Sequence, residues 1–272
     1  MIDAWNPRTY SAEITSVLSD YSEIILKYHA EDRRLMDEHL NSFPYQSLKS
    51  NRFFSTYREF QEQTLVPILA SSRIRVWHYA RLMDEELNTM RQRLVPSSLD
   101  YLRSRLDNLV AKKLLTHEDA EIVFDASPFH KQVENRTGRL WTTIIPLPPS
   151  DSGVIPLLES WGGESAYFWL SNEGIVTKLK NLGAPRIIEL ETALSDNLNA
   201  YSVTETVLKS WAKQLGVPVL LSGRDLAITH CIATAKVIRI HTKGEGSFEA
   251  VATAYPEGVS ELLEERIFND AG

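Results

Sequence analysis

One cysteine, Cys231, stands in 272 residues, so an intramolecular disulfide is impossible, and no CxxC or Cys/His cluster at zinc spacing exists. The fold has to stand on its apolar core, and this thiol usage suits a reducing cytoplasm. Nowhere do about 18 apolar residues run together, and the N-terminus carries acid early and lacks an apolar segment, so neither a membrane span nor an export signal is expected. Signature loops are missing too: there is no GxxxxGK[ST], no GxGxxG after a strand, no HExxH and no GxSxG. P-loop NTPases, Rossmann dehydrogenases, zinc proteases and α/β-hydrolases therefore leave the front rank. No internal repeat or low-complexity linker divides the chain.

What is present is an ordinary globular composition, 43% hydrophobic and 24% charged. The formal net charge is −7, yet residues 49–113 hold twelve Lys and Arg against seven Asp and Glu. A cationic stretch in an acidic chain can meet a polyanion, with Arg91, Arg93, Arg103 and Arg105 as the candidate nucleic-acid contacts; solvated helix faces are the alternative.

The first third reads as helix. Ile14, Val17, Leu18, Tyr21, Ile24, Ile25 and Tyr28 recur at three- and four-residue spacing, and after a break at Ser42-Phe43-Pro44 an aromatic-rich helical segment runs to about Ala70. At Ile74–Ala80 a β-branched and aromatic run predicts the first strand. Helices follow at 84–94, after Ser97/Ser98, and after Thr116 with Asp119; residues 127–137 read as a polar loop and Leu140–Ile145 as a strand. Beyond Asp151, Ala166–Leu170 reads as a strand, Ser171/Asn172 cap a helix, Arg186–Glu191 alternates as a strand, and Ser202 with Glu205 forms a capping box. Strands at 226–231 and 236–242 and a helical tail complete the chain. The expected fold is α+β: a helical N-terminal extension over 1–72, packed on a 73–272 domain with a mixed sheet and inserted helices.

Four polar features stand out at strand edges. His78 lies between Trp77 and Tyr79, and in a regular strand His78 and Tyr79 face opposite sides, so only one can line a given cleft; it is either a satisfied edge residue or a ligand-orienting hydrogen bonder. Glu164 follows Gly162-Gly163 at the mouth of an apolar run, where a carboxylate has to be paired, with Arg139 or Arg186 as partners, or used. Gly223-Arg224-Asp225 precedes a strand, as a surface ion pair or a site acid. Gly244-Glu245-Gly246-Ser247 is a structural turn or an anion cradle at a helix start.

Together these residues resemble the ADP-ribosyltransferase fold, in its branch with a histidine on the first strand, seen in DNA- and RNA-modifying toxins of toxin-antitoxin and anti-phage systems. The likeness covers roughly residues 73–243: Trp77-His78-Tyr79-Ala80 followed by Asp84-Glu85-Glu86-Leu87, then Leu140-Trp141-Thr142-Thr143, then Asp225-Leu226-Ala227-Ile228 leading to Lys236–Ile240. The family begins its last strand pair with a catalytic glutamate, where this chain has Asp225, so Glu164 is the alternative carboxylate. The resemblance implies NAD as substrate without a metal, His78 orienting it, Glu164 or Asp225 stabilising an oxocarbenium-like state, Tyr79, Thr142 and Thr143 in the cleft, and Tyr167 or Trp141 stacking on nicotinamide. The acceptor would be nucleic acid or protein, and an antitoxin or regulator could dock on the N-terminal helices through Phe53, Phe54 and Tyr57. Two other classes compete: a non-catalytic scaffold that holds a protein partner through those helices and whose cleft is plugged by Trp or Phe, and a nuclease using His130, His230 and His241.

Overall fold

The computed structural model describes residues 1–42, 49–221, 225–229 and 234–263. Phe43 and Pro44 of the expected break, and Arg224, His230 and Cys231, lie outside the described residues. The chain is α+β. Among the described residues six strands, β1 (Arg73–Leu82), β2 (Leu140–Thr143), β3 (Ala184–Ala193), β4 (Asn197–Leu198), β5 (Asp225–Ile228) and β6 (Lys236–Thr242), form one sheet in the order β4-β5-β2-β1-β3-β6. Among the described residues every ladder is antiparallel, which corrects the expectation of a mixed sheet, and parallel pairing is confined to isolated bridges such as Ile2 with Ile74. The cause is the connections: the helical insert after β1 returns the chain to the end of the sheet it left.

Helices α1 (Ala12–Asp20), α2 (Ser22–Asn41), α3 (Phe54–Phe60) and α4 (Val66–Ala70) precede the sheet, with a π-helical turn at Gln61–Leu65 between α3 and α4. Between β1 and β2 come α5 (Asp84–Gln92), α6 (Leu99–Ala111), α7 (His117–Asp125) and α8 (Val133–Arg136), and between β2 and β3 come α9 (Ile155–Glu159), α10 (Glu164–Tyr167) and α11 (Glu173–Asn181). Helix α12 (Ala200–Gln214) follows β4, and α13 (Gly246–Glu249) and α14 (Val259–Leu263) follow β6. Local chemistry sets several boundaries: Ser98 Oγ accepts from the Tyr101 amide, and Thr116 and Asp119 bond reciprocally as a capping box.

Strand alternation gives the sheet two buried faces. Ile74, Val76, Ala80 and Leu82 of β1 pack with Ile188 and Leu190 against Ile14, Leu18, Ile25, Leu65 and Leu69 of the N-terminal helices and Val203 and Val207 of α12. Trp77, Tyr79 and Ile187 face the other way, under Trp5, Leu147, Phe248 and Val251. His78 thus occupies a position of the first face at which an apolar side chain would continue the core.

Several expectations need correction. Ala166–Leu170 is not a strand: Gly162 (φ 83°) and Gly163 (φ 56°) turn the chain into the short α10, burying Ala166 and leaving Phe168 and Trp169 exposed. A five-residue apolar run is too short for its period to tell helix from strand. Ser202 and Glu205 make no capping box, because α12 starts three residues earlier, after Asn199 in the left-handed conformation at φ 65°. Gly244 makes a tight turn at φ 97°, the helix after it has four residues, and the Glu245 carboxylate accepts from the Thr242 amide, so no anion cradle forms there. Tyr57 is buried, stacked 3.8 Å from Tyr28 with its hydroxyl 3.1 Å from His29 Nε2, so the expected aromatic docking patch reduces to the exposed Phe54 beside a partly buried Phe53.

Candidate functional site

The β1–β2 ladder has a single register pair, Trp77 with Thr143. Beyond it β1 runs on to Leu82 while β2 reaches back only to Leu140, and in this fork opens a cleft of about 580 Å³ walled by α6, α8 and the loop before α10. His78 sits in the fork. Its Nδ1 lies 2.8 Å from the Trp141 carbonyl oxygen, which can only accept, so Nδ1 carries the proton and the neutral ring presents Nε2 as an acceptor. Burial holds the His78 pKa below the ordinary imidazole value, Arg105 acts in the same direction, and the Trp141 bond opposes both.

Three carboxylates share the cleft with His78, and one of them, Glu86, is taken up by Arg105 and Trp161. Glu164, at the first position of α10, accepts from Arg136 Nη1 at 2.9 Å on its Oε2, so its partner is Arg136 and neither Arg139 nor Arg186. Asp225 opens β5 opposite Thr143 and makes no hydrogen bond or ion pair among the described residues. Desolvation raises its pKa, and the charge of Glu164 adds to the rise, which places the two acids within electrostatic reach of each other.

Trp141 also lines the cleft and is 38% exposed, with the Arg139 guanidinium 5.8 Å over its ring. The Thr142 and Thr143 hydroxyls border it but donate to the backbone, to Leu226 O at 2.9 Å and Ile145 O at 2.8 Å, and so can only accept from a ligand. Tyr79 also lines the cleft, while its buried hydroxyl is turned to Leu147, donating to the carbonyl and accepting from the amide. Tyr167 lies outside the lining; desolvation and the nearby Glu164 charge push its pKa up to about 12. The cleft is open, and the buried Trp161 lies outside its lining.

The four arginines do not form one cationic face. Arg103 is held by both carboxylate oxygens of Glu121 and lies 3.6 Å over the Phe124 ring. Arg105 gives Nε to Glu86 at 2.6 Å and lies 4.4 Å over Trp161, inside the cleft wall. Arg93 lines the cleft and is exposed, and Arg91 is exposed on α5 outside it. The nuclease histidines are likewise scattered: His130 bonds the Phe124 carbonyl, and His241 is fully buried against Glu189.

Arg136 and Glu86 were not legible as site residues. Arg136 falls in a segment that reads as a polar loop, and Glu86 gains its place by accepting from Met83 N, Arg105 Nε and Trp161 Nε1 at once. The one available signal was spacing, since Ser98, Tyr101, Leu102 and Arg105 fall on one face of α6. Among the described residues no helix is long and apolar enough to cross a membrane, and no group of three His, Cys, Asp or Glu could hold a metal ion. No family model, curated protein or solved structure matches the chain.

Proposed function

We propose that the chain is an NAD-consuming mono-ADP-ribosyltransferase, a cytoplasmic toxin that modifies nucleic acid or protein and is restrained by an antitoxin or other regulator. The observation that carries the reading is the convergence of His78, Glu164 and Asp225 on one open cleft in the β1–β2 fork. In this account the neutral His78 accepts from a hydroxyl of the nicotinamide-side ribose through Nε2, and Trp141 stacks on the nicotinamide ring. Glu164, kept in place by Arg136, accepts from the ribose 2-hydroxyl, an interaction that strengthens as positive charge develops at the anomeric carbon.

The C–N bond to nicotinamide breaks and its electron pair leaves with the ring, which departs neutral. A lone pair of the acceptor forms the new bond at the anomeric carbon. The acceptor's proton passes to Asp225, whose raised pKa moves it towards the range useful for a general base, and from there to solvent. Two carboxylates with different surroundings thus take different roles. The open cleft also favours this reading over a scaffold, whose cleft would be filled by an aromatic side chain.

Calorimetric titration of NAD into the wild type and His78→Ala tests the assignment. The reading expects measurable binding that weakens at least tenfold in the variant; no binding to the wild type, or equal binding by both, contradicts it.

A further inference from the structure

His78 and Glu164 stand on separate pieces of chain, His78 on β1 and Glu164 on a turn that lies outside the sheet. That turn is tied down at Trp161. The Trp161 amide donates to Leu179 O at 3.1 Å, the residue bridges to Arg81 of β1, and its side chain is fully buried. From Trp161 to Glu164 the chain has little freedom. Gly162 and Gly163 take φ 83° and 56°, Ser165 Oγ donates to Gly162 O at 2.6 Å, and a Cβ at Gly162 would lie 2.5 Å from that of Ala166. A displaced indole therefore displaces the carboxylate that follows it.

What holds the indole is Glu86. Its Oε2 accepts from Trp161 Nε1 at 3.0 Å and from the Met83 amide at 2.8 Å, and its Oε1 accepts from Arg105 Nε at 2.6 Å. One carboxylate thus joins the start of α5, the middle of α6 and the turn before α10. Arg105 closes the group by lying 4.4 Å over the Trp161 ring, and the side chains of Glu86 and Arg105 are each 13% exposed. Its guanidinium also acts on His78, lowering its pKa. Capping α5 needs only the bond from Met83; the bonds from Arg105 and Trp161 go beyond that need.

We propose that Glu86 is the positioning residue of the cleft: through Arg105 and Trp161 it fixes the turn that presents Glu164 beside Asp225 and His78. This rests on the reading of Glu164 as the group that stabilises the oxocarbenium-like state, and it adds what keeps that group in its working place. A fully satisfied buried network is suited to the task, because it is rigid as long as every member is bonded.

The electrostatic coupling of Glu164 to Asp225 supplies a ruler that needs no activity. The charge of Glu164 raises the Asp225 pKa, so withdrawing that charge lowers it. Asp225 is titrated by carboxyl-carbon NMR in the wild type, in Glu164→Gln as the uncharged reference, in Trp161→Phe, which deletes the Nε1 bond, and in Glu86→Asp, which keeps the charge and shortens its reach. Ile14→Val, in the core under the N-terminal helices, controls for a general loss of stability. NAD affinity and nicotinamide release are measured on the same proteins, and Glu86→Asp carries the test if Trp161→Phe fails to fold.

In both Trp161→Phe and Glu86→Asp the Asp225 pKa should move from the wild-type value towards that of Glu164→Gln. The kcat of nicotinamide release should fall by roughly tenfold to a hundredfold, the scale for a misplacement of about 1 Å, with NAD affinity kept within about threefold. Ile14→Val should change none of these. An Asp225 pKa that stays at or rises above the wild-type value in the folded variants overturns the proposal, and so does an equal shift in Ile14→Val. If NAD is consumed at the wild-type rate by the folded variants, the positioning role is wrong and the dinucleotide reading stands. If the Asp225 pKa moves as expected but the wild type neither binds nor consumes NAD, the hold of Glu86 on Glu164 stands and the dinucleotide reading falls.

Discussion

Replacing Glu164 by Gln removes one negative charge while keeping size and hydrogen-bonding shape. The side-chain oxygen can still accept from Arg136, and the lost ion pair is 43% exposed at Glu164, so screening limits its structural cost to about 1 kcal/mol at most. The kinetic cost is set by a different quantity. A preorganised contact that acts on charge developing in the transition state contributes about 2.7–4 kcal/mol, or roughly 10²–10³ in kcat. The kinetic effect therefore exceeds anything that partial unfolding could produce at 25 °C. NAD affinity should stay nearly constant, because the interaction strengthens only as the glycosidic bond opens. Asp225→Asn should behave differently: transfer to an acceptor falls, by roughly 10²–10⁴, and falls more than acceptor-independent nicotinamide release. Chromatographic measurement of nicotinamide release, with and without acceptor, separates the two. Retention of kcat within threefold by Glu164→Gln, or equal loss of both activities in both variants, would refute the division of roles.

Three further outcomes are expected. Arg75 bridges two buried carboxylates, Glu189 at 3.0 Å and Asp3 at 3.0 Å, with His241 Nε2 2.7 Å from Glu189; Arg75→Met should cost about 3–5 kcal/mol because it strands buried charge. The guanidinium charge lowers the folded pKa of both acids, so without it both lie higher than in the wild type and the deficit should shrink as pH falls towards the carboxylate range; a thermal melt showing a constant deficit from pH 8 to 4 contradicts this. His78, with its folded pKa lowered, favours the folded state above the unfolded imidazole pKa of about 6.5 and loses that contribution as pH falls below it; NAD affinity should be flat above that value and decline beneath it, and a decline beginning above pH 7.5 counts against the assignment. A fragment starting at residue 73 should not fold, because Ile14, Leu18, Ile25, Leu65 and Leu69 bury the same sheet face as Ile74 and Val76; a cooperative melt of that fragment would show the extension to be dispensable.

The parts of the fold legible in the sequence are those with local causes. The β-branched run around Val76 announces β1, and the Thr116–Asp119 box announces the start of α7. His78, Glu164 and Asp225 stood out because a polar group beside an apolar strand needs a reason, and that reason does not depend on knowing the neighbours. What stayed hidden depends on distant chain. Glu189 alternates like a solvent-facing residue of β3, yet it is fully buried, because the N-terminal segment at Asp3 and Trp5 covers that face and Arg75, His241 and Tyr255 neutralise it. Desolvation alone would raise the Glu189 pKa; the bonds from His241 and Tyr255 and the Arg75 charge reverse the direction and lower it. Arg103 and Arg105 illustrate the converse, since a cationic count in sequence cannot show that Glu121 and Glu86 lie opposite them.

The most direct test is incubation of the full chain with NAD labelled in the adenosine half, together with separate pools of RNA, DNA and protein, read on one gel. Label transferred to a single pool, matched by nicotinamide release and abolished in a His78→Ala, Glu164→Gln double variant, is the predicted result. No label in any pool and no loss of NAD would contradict the enzymatic account and leave the scaffold reading in its place.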